Sequence, residues 1–171
     1  MIYETERLFT REMTPADLPS LAAIMQDPKV MTAFEHAFSP EETRAWLKRE
    51  MNRYQEYGFG LWAVALKETG RMIGQCGLIL NEYDGAEKLE IAYLFQKAFW
   101  HQGYAVEAAL GARQYAFETM NAPEVSCIVR ENNLASMNVA IRLGMLVRGR
   151  LIKHYYDMDM PHYVFTALNS G

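Results

Sequence analysis

The spacing of apolar residues changes along the chain between the period of an amphipathic helix and that of a strand. Two helix starts of the Ser/Thr-Pro type stand at residues 14–15 and 39–40, each followed by apolar side chains at helical spacing. The first helix is predicted to run to about Asp27, and the second to end near Gly58. Two later helices are predicted from the same pattern, at residues 104–120 and 134–143.

Short apolar runs bounded by polar turns predict the strands. They lie at residues 8–11, 59–66, 71–80, 88–95, 125–129, 146–153 and 163–168. Strands interleaved with helices indicate an α/β or α+β layered fold, with a mixed central sheet of six to seven strands and about four helices. The irregular segment at residues 29–38 is rich in bulky apolar side chains, so we expect it to cover part of the molecule.

Composition and charge narrow the class of protein. At 171 residues, of which 50% are hydrophobic, the chain is predicted to form one domain over residues 1–171. Its formal net charge is −4, and no block of like charges occurs, which argues against a broad nucleic-acid footprint. The N-terminus lacks the pattern of a signal peptide, and no run approaches the roughly 18 apolar residues that a membrane span needs. We therefore expect a cytoplasmic protein without a nucleic-acid or membrane partner.

The cysteines and histidines do not form a metal-binding pattern. Cys76 and Cys127 each lie inside an apolar strand-like run, and they make neither a CxxC pair nor a disulfide framework. We interpret both as core thiols that lie away from the loop before the helix at residues 104–120, and this position argues against a cysteine nucleophile. The four histidines lack the spacing of metal ligands, so no metal is expected; they are His36, His101, His154 and His162.

The most informative segment runs from Leu89 to Ala109, where a buried strand is followed by a short aromatic loop and a strong helix. Such a junction directs free backbone N–H groups and the positive end of the helix dipole at one point, which suits a pyrophosphate. Gly103 is the key position, because a backbone that must approach a pyrophosphate closely tolerates little side chain. The phosphate-binding patterns GxxxxGK[ST] and GxGxxG do not occur.

The loop sequence Trp-His-Gln-Gly-Tyr-Ala at residues 100–105 resembles the acyl-CoA loop of the GNAT superfamily of N-acetyltransferases, whose motif is Gln/Arg-x-x-Gly-x-Gly/Ala. The second half of the motif matches and the first half does not. Tryptophan at the first position, followed by Gly-Tyr-Ala-x-Glu-Ala, resembles the branch of ribosomal-protein alanine N-acetyltransferases. Other segments resemble that branch in the same order, at residues 5–8, 58–64, 71–77, 133–136 and 143–145.

The resemblance implies the GNAT fold, in which the strands at residues 88–95 and 124–129 begin parallel and then splay apart to admit the pantetheine arm. It implies acetyl-CoA as the co-substrate, bound by main-chain N–H groups of His101, Gln102, Gly103, Tyr104 and Ala105. A backbone bulge at the end of the preceding strand would bind the pantetheine and polarise the thioester carbonyl through Leu94 and Phe95. Polar residues at the start of the last helix would lie by the CoA arm, namely Asn133, Ser136 and Asn138.

Two residues are candidates for catalytic roles. Glu90 points to the sheet face opposite its apolar neighbours, and it is the candidate base that accepts the proton of an incoming ammonium; the alternative is a solvated or salt-bridged glutamate. The resemblance implies that Ser136 is the acid that protonates the departing thiolate, although Asn133 and Ser136 are equally expected as plain helix caps. Tyr155 or Tyr156 is the competing proton donor.

The predicted function is direct acetyl transfer from acetyl-CoA to a primary amine, without a covalent enzyme intermediate. The acceptor is either a protein N-terminus or a small-molecule amine, and the resemblance implies that segment 29–38 forms part of its pocket. The alternative is a non-catalytic acyl-CoA-binding or sensing module that uses the same cleft. The sequence leaves open the acceptor, the preferred length of the acyl chain, and whether the protein is a monomer or a homodimer.

Overall fold

The structure is a computed structural model that describes residues 1–34, 36–83, 85–155 and 157–171. Its helices are α1 (Leu18–Met25), α2 (Pro40–Tyr57), α3 (Tyr104–Glu118) and α4 (Leu134–Arg142). Its strands are β1 (Leu8–Arg11), β2 (Leu61–Leu66), β3 (Met72–Tyr83), β4 (Ala86–Phe95), β5 (Glu124–Arg130), β6 (Leu146–Tyr155) and β7 (Met158–Leu168). Short 3-10 turns occupy Pro15–Asp17, Val30–Ala33 and Lys97–Phe99.

The predicted start and stop signals shape α2. The Ser39 hydroxyl accepts a hydrogen bond from the Glu42 N–H at 3.1 Å, and the Glu42 carboxylate accepts one from the Ser39 N–H at 3.1 Å. This reciprocal cap satisfies two N–H groups that would otherwise lack partners. At the other end, Gly58 adopts the left-handed conformation with φ of 78°, which ends the helix where the sequence predicts.

The first predicted helix is divided, and α1 is shorter than expected. Residues 15–17 form a 3-10 turn, and α1 begins only at Leu18 and ends at Met25 instead of Asp27. Pro19 explains the division, because it lacks the N–H that would donate to the Pro15 carbonyl in a continuous α-helix.

In the described residues the strands form one seven-stranded mixed sheet in the order β1-β2-β3-β4-β5-β7-β6. Neighbouring strands are antiparallel except β4 and β5, which are parallel and pair only at Glu90 and Ser126. Beyond that single pair the two strands separate. The predicted α/β fold with a mixed sheet and a splay between β4 and β5 is therefore confirmed.

The last strand begins earlier than predicted, at Met158 instead of Tyr163. Pro161 lies within it and pairs with Ile152 of β6, although a proline normally interrupts a strand. Its carbonyl accepts from the Glu131 N–H, just beyond the end of β5. In an antiparallel pair the second bond would run from residue 161 to the Glu131 carbonyl, so the proline removes one bond at the very end of this ladder, where the loss does not interrupt the strand.

The helices cover both faces of the sheet and bury the core between them. On one face, buried Gln75 contacts Trp46 of α2 and Met25 of α1. On the other face, Tyr93 hydrogen-bonds to α4. Helix α3 packs closely on that second face through a stripe of alanines that are fully buried, namely Ala108, Ala109, Ala112 and Ala116. The splay opens between these layers.

Candidate active site

A cleft of about 1320 Å³ fills the splay between β4 and β5. Its walls include the main chain and side chains of both strands from Glu90 to Phe95 and from Cys127 to Arg130. Segment 29–38 lines it on another side through Val30, Ala33 and Phe34 among others. The structure therefore places this segment, which was expected to cover part of the molecule, along the cleft.

The loop before α3 presents backbone amides to the cleft. The first intrahelical bond is donated by the Glu107 N–H to the Gly103 carbonyl at 3.1 Å, so the N–H groups of Tyr104, Ala105 and Val106 precede the hydrogen-bonded part of the helix. All three of these residues line the cleft, as does Gly103. This set of free amides at the positive end of a 15-residue helix is suited to an anion.

Left-handed backbone conformations shape this loop. Gly103 has φ of 80° and His101 has φ of 62°, and both line the cleft. Gln102 differs from its neighbours: its carbonyl accepts from an Arg7 guanidinium nitrogen at 3.0 Å, its side chain donates to the Ala98 carbonyl at 3.3 Å, and it is not among the cleft-lining residues. The structure thus brings four of the five proposed amide donors to the cleft.

A latch between the N-terminus and α3 holds the loop, and it is formed by Thr5, Arg7 and Glu107. The Glu107 carboxylate accepts from the Thr5 hydroxyl at 2.6 Å, the Arg7 N–H at 2.7 Å and the Arg7 Nε at 2.7 Å. The same guanidinium lies 4.3 Å from the centroid of the Tyr104 ring. Burial raises the pKa of Glu107, but these donors outweigh it and the pKa is lowered, so the carboxylate is charged. Residues 5–8 contributed to the family resemblance, but only the fold shows that they contact the loop.

Glu90 lies at the other end of the cleft and is 8% exposed. One oxygen of its carboxylate accepts from the Asn81 side-chain amide at 2.6 Å and from the Tyr83 hydroxyl at 3.3 Å. Burial raises the pKa of Glu90, whereas the Asn81 hydrogen bond and the charge of Lys153 oppose that rise. The expected alternative of a solvated glutamate does not describe this buried side chain, whose raised pKa suits a proton acceptor.

Two further basic residues lie in the cleft, and sequence reasoning did not assign them a role there. Lys153 lies 5.4 Å from the centroid of the Tyr83 ring, and burial lowers the pKa of Lys153 while the Glu90 charge opposes that change. His162 is buried, and its Nδ1 donates to the Met160 carbonyl at 2.8 Å, which leaves Nε2 able to accept a proton. Burial lowers the pKa of His162, so this imidazole is neutral at pH 7. No local sequence signal marks either residue, since the fold alone brings β6 and β7 to the splay.

The splayed edge of β4 offers backbone N–H groups without a bulge. The pairing of β3 with β4 runs without a register shift from Gly74 opposite Phe95 to Tyr83 opposite Ala86, so the bulge that the resemblance implied is absent. The Gln96 N–H donates to the Ile73 carbonyl, and alternation along a regular strand then turns the Phe95 N–H towards the splay. By the same alternation the Leu94 N–H faces β3, so Leu94 lines the cleft through its other atoms.

Ser136 is linked to a partly buried phenol. Its hydroxyl lies 2.9 Å from the Tyr93 hydroxyl, and burial raises the pKa of Tyr93, which is therefore a neutral phenol. The Asn133 side chain accepts from the Ser136 N–H at 3.1 Å, so Asn133 caps α4 while it also lines the cleft. Asn138 lines the cleft as well. The competing proton donors, Tyr156 and the side chain of Tyr155, lie outside the described part of the structure.

The cysteine interpretation needs one correction. Both thiols are buried as predicted, but Cys127 lines the cleft, where its Sγ lies 3.6 Å from the Ile91 carbonyl. Burial raises the pKa of Cys127, and burial raises the pKa of Cys76 to about 12. Both groups are therefore protonated thiols at neutral pH, which are poor nucleophiles.

Among the described residues no group of His, Cys, Asp and Glu could hold a metal ion, and no described helix is long and apolar enough to cross a membrane.

Comparisons with known proteins agree with this geometry. A family model described as an acetyltransferase (GNAT) domain matches residues 7–146. The uncharacterized protein YkkB of Bacillus subtilis (strain 168) is 32% identical over 142 residues, which are 82% of this chain and 83% of that protein.

Two solved structures share the fold. A GNAT-family acetyltransferase from Bacillus anthracis superposes with a TM-score of 0.85 at 23% identity, covering 98% of each chain. RimL, a ribosomal alpha-N-protein acetyltransferase in complex with coenzyme A, superposes with a TM-score of 0.81 at 16% identity, covering 98% of this chain and 97% of its own.

Proposed function

The chain belongs to the GNAT family of acetyltransferase domains, and from that membership we propose that it transfers an acetyl group from acetyl-CoA directly to a primary amine. The observation that carries this proposal is one cleft with free helix-terminal amides at one end and the buried carboxylate of Glu90 at another. The first feature suits a diphosphate, and the second suits an ammonium.

In this proposal the loop binds the co-substrate through its main chain. The amides of Tyr104, Ala105 and the preceding left-handed residues hold the diphosphate, and the side chains of Asn133 and Asn138 lie along the arm. The Phe95 N–H stabilises the negative charge that develops on the thioester oxygen. The residues present fit a diphosphate, because the free N–H groups at the start of α3 would otherwise face an open cleft.

Glu90 then acts as the base that removes the proton of the acceptor. Freeing an α-amino group, with a pKa of about 8, costs roughly 3 kcal/mol less at neutral pH than freeing a lysine at about 10.4. A single carboxylate of raised pKa therefore suits an α-amino or weakly basic amine, from a protein N-terminus or a small molecule. The likeness to RimL, which acts on a protein N-terminus, is compatible with the first source.

Ser136 supplies the proton for the departing thiolate. Its hydroxyl is held by that of Tyr93, which stays a neutral phenol, and the second proton of the amine, released as the amide forms, replaces the one that Ser136 gives up. Transfer is direct, because the thiols of Cys76 and Cys127 are protonated and buried.

The experiment is an assay of free CoA with a thiol reagent, using the purified protein, acetyl-CoA and a panel of amines. The test variants are Glu90→Gln and Ser136→Ala, and the matched control is Glu87→Gln, an exposed glutamate on the same strand outside the cleft. Release of CoA that requires an amine and falls in both test variants supports the proposal. Acetyl-CoA binding without turnover on any amine would overturn it and indicate a non-catalytic acyl-CoA-binding module.

A further inference from the structure

The cleft as a whole is lined by more positive than negative side chains. Of the described residues that line the cleft, six are Lys or Arg and only Glu90 is a carboxylate, although the whole chain has a net charge of −4. Arg130 and Arg142 flank Asn133 in sequence, in the half assigned to the co-substrate. Arg49 and Arg53 lie on α2, on the opposite side of the cleft from the loop that starts α3.

The two arginines of α2 differ in their partners. Arg53 forms an ion pair: its guanidinium lies 2.6 Å from the buried Glu50 carboxylate. The same carboxylate also accepts a hydrogen bond from the Leu61 N–H at 3.0 Å. Arg49 forms no ion pair with any described carboxylate and is exposed to the cleft. The described residues therefore leave its five guanidinium N–H donors open to a ligand, although its charge also acts on nearby Glu50.

Arg49 is nevertheless held in place by aromatic contacts. Its guanidinium lies 4.9 Å from the centroid of the Trp46 ring. The Trp46 indole N–H donates to the buried Gln75 amide oxygen at 3.0 Å, and the edges of Phe34 and Phe38 contact the same ring. A guanidinium fixed over an aromatic ring is pre-organised for a carboxylate, with apolar walls beside it.

The sheet brings this arginine within reach of Glu90. Arg53 of α2 packs against Gly60, where an added Cβ would lie 3.4 Å from Cβ of Arg53. The Gly60 carbonyl in turn accepts from the Leu78 N–H of β3 at 3.1 Å. The next residue, Ile79, pairs with Glu90 on the neighbouring strand. Gln75, which binds Trp46, and Ile79 point to the same face of β3 by alternation, and Glu90 shares that face, so Arg49 and Glu90 line the cleft from one side of the sheet.

We propose that the acceptor is a primary amine that also carries a carboxylate, with the carboxylate bound by Arg49 and the amine directed at Glu90. This inference rests on the proposed acetyl transfer and adds the class of acceptor. The aromatic wall contacts the methylenes or side chain between the two charges. A polycationic amine fits poorly, since it would place positive charge against Arg49 and Lys153.

The experiment compares matched ligands on the protein loaded with CoA, by titration calorimetry. One series pairs linear ω-amino carboxylates of two to six carbons with their amides. A second series pairs short peptides that have a free N-terminus and aspartate or asparagine at the second position. The carboxylate member is expected to bind at least roughly tenfold more tightly, and the series that shows the larger ratio identifies a free small molecule or a protein N-terminus as the source.

The variants are Arg49→Gln and, as a control with the same loss of charge on the same helix, Lys48→Gln, which does not line the cleft. Arg49→Gln is expected to bring the carboxylate-to-amide ratio close to one, while Lys48→Gln keeps it. Equal binding of both members in both series, a preference for spermidine, or a ratio unchanged in Arg49→Gln would overturn the inference. None of these results would affect the proposed function, which fails only if acetyl transfer itself is absent.

Discussion

Glu90 is the proposed base, and its environment bears directly on that role. It is buried against Asn81 and Tyr83, and burial raises the pKa of its carboxyl group. Because the base must be ionised to accept a proton, the acidic limb of the profile of kcat/KM against pH is expected to lie above the ordinary range of glutamate. Glu90→Gln should lower kcat/KM by roughly 10²–10⁴-fold and remove that limb, as a series of initial rates at different pH values would show.

Glu87→Gln is the control for this prediction, since Glu87 is exposed on the same strand. An acidic limb that persists in Glu90→Gln would assign the base to another group. His162 is then the first candidate, because its Nε2 can accept a proton and it lines the same cleft.

Gly103 allows a second prediction at the scale of one residue. Its φ of 80° is open to glycine and is tolerated by aspartate, and an added Cβ would lie 3.4 Å from an Arg7 guanidinium nitrogen. Gly103→Asp should therefore fold but place a negative charge among the amides. Its affinity for acetyl-CoA is expected to fall at least roughly tenfold, measured by calorimetry.

Gly70→Asp is the matched control, because Gly70 has φ of 70°, has no neighbour within 4 Å of an added Cβ and lies outside the cleft. It carries the same backbone strain and the same charge. Equal affinities in the two variants would show that the loop does not bind the diphosphate.

At the scale of the element, the latch of Thr5, Arg7 and Glu107 ties α3 to the N-terminal segment. Glu107→Gln loses the charge that attracts Arg7 and weakens the acceptor of three hydrogen bonds. Because the latch orders the loop and does not touch the reacting atoms, KM for acetyl-CoA is expected to rise about threefold to tenfold with little change in kcat. Steady-state kinetics at saturating amine would measure both constants.

Glu118→Gln, at the opposite end of α3, is the control for the latch, since Glu118 is exposed and, in the part of the chain that the structure describes, accepts only from Gln114. A fall in kcat at constant KM in Glu107→Gln would contradict a role in positioning the loop. The distinction is useful because a general loss of stability would lower the amount of active protein in both variants.

At the scale of the whole molecule, the splay separates two halves of the sheet that, among the described residues, share one backbone ladder pair, that of Glu90 and Ser126. A ligand that bridges β4, β5 and the start of α3 should therefore stabilise the folded state. At a concentration 100 times its Kd, acetyl-CoA is expected to add about 2.7 kcal/mol, or a rise in Tm of roughly 5–10 °C for a chain of this size.

Thermal unfolding with and without acetyl-CoA would measure this shift, and acetate at the same concentration is the control. No shift at saturating acetyl-CoA would contradict binding in the splay. The same measurement on Gly103→Asp should show a smaller shift, which connects the prediction to the loop.

Much of the architecture could be predicted from the sequence, because it depends on local signals. The cap at Ser39, the left-handed stop at Gly58 and the alanine stripe of α3 each act through neighbours in the chain or on one helix face. The order of strands and helices then limits the fold to a mixed layered sheet. The loop around Gly103 could also be found, since its glycine and the following helix are contiguous.

Other features of the site were decided only by the tertiary structure. The latch joins residues a hundred positions apart, and the cleft positions of Arg49, Lys153 and His162 depend on how α2, β6 and β7 are arranged around the splay. Burial and long-range charges set the raised pKa of Glu90, and no local pattern encodes them. The sequence alone therefore determined the elements and the loop that is proposed to bind an anion, because short-range hydrogen bonds and periodicity suffice for them. The second half of the cleft arises from contacts between distant segments, which exist only once the chain has folded.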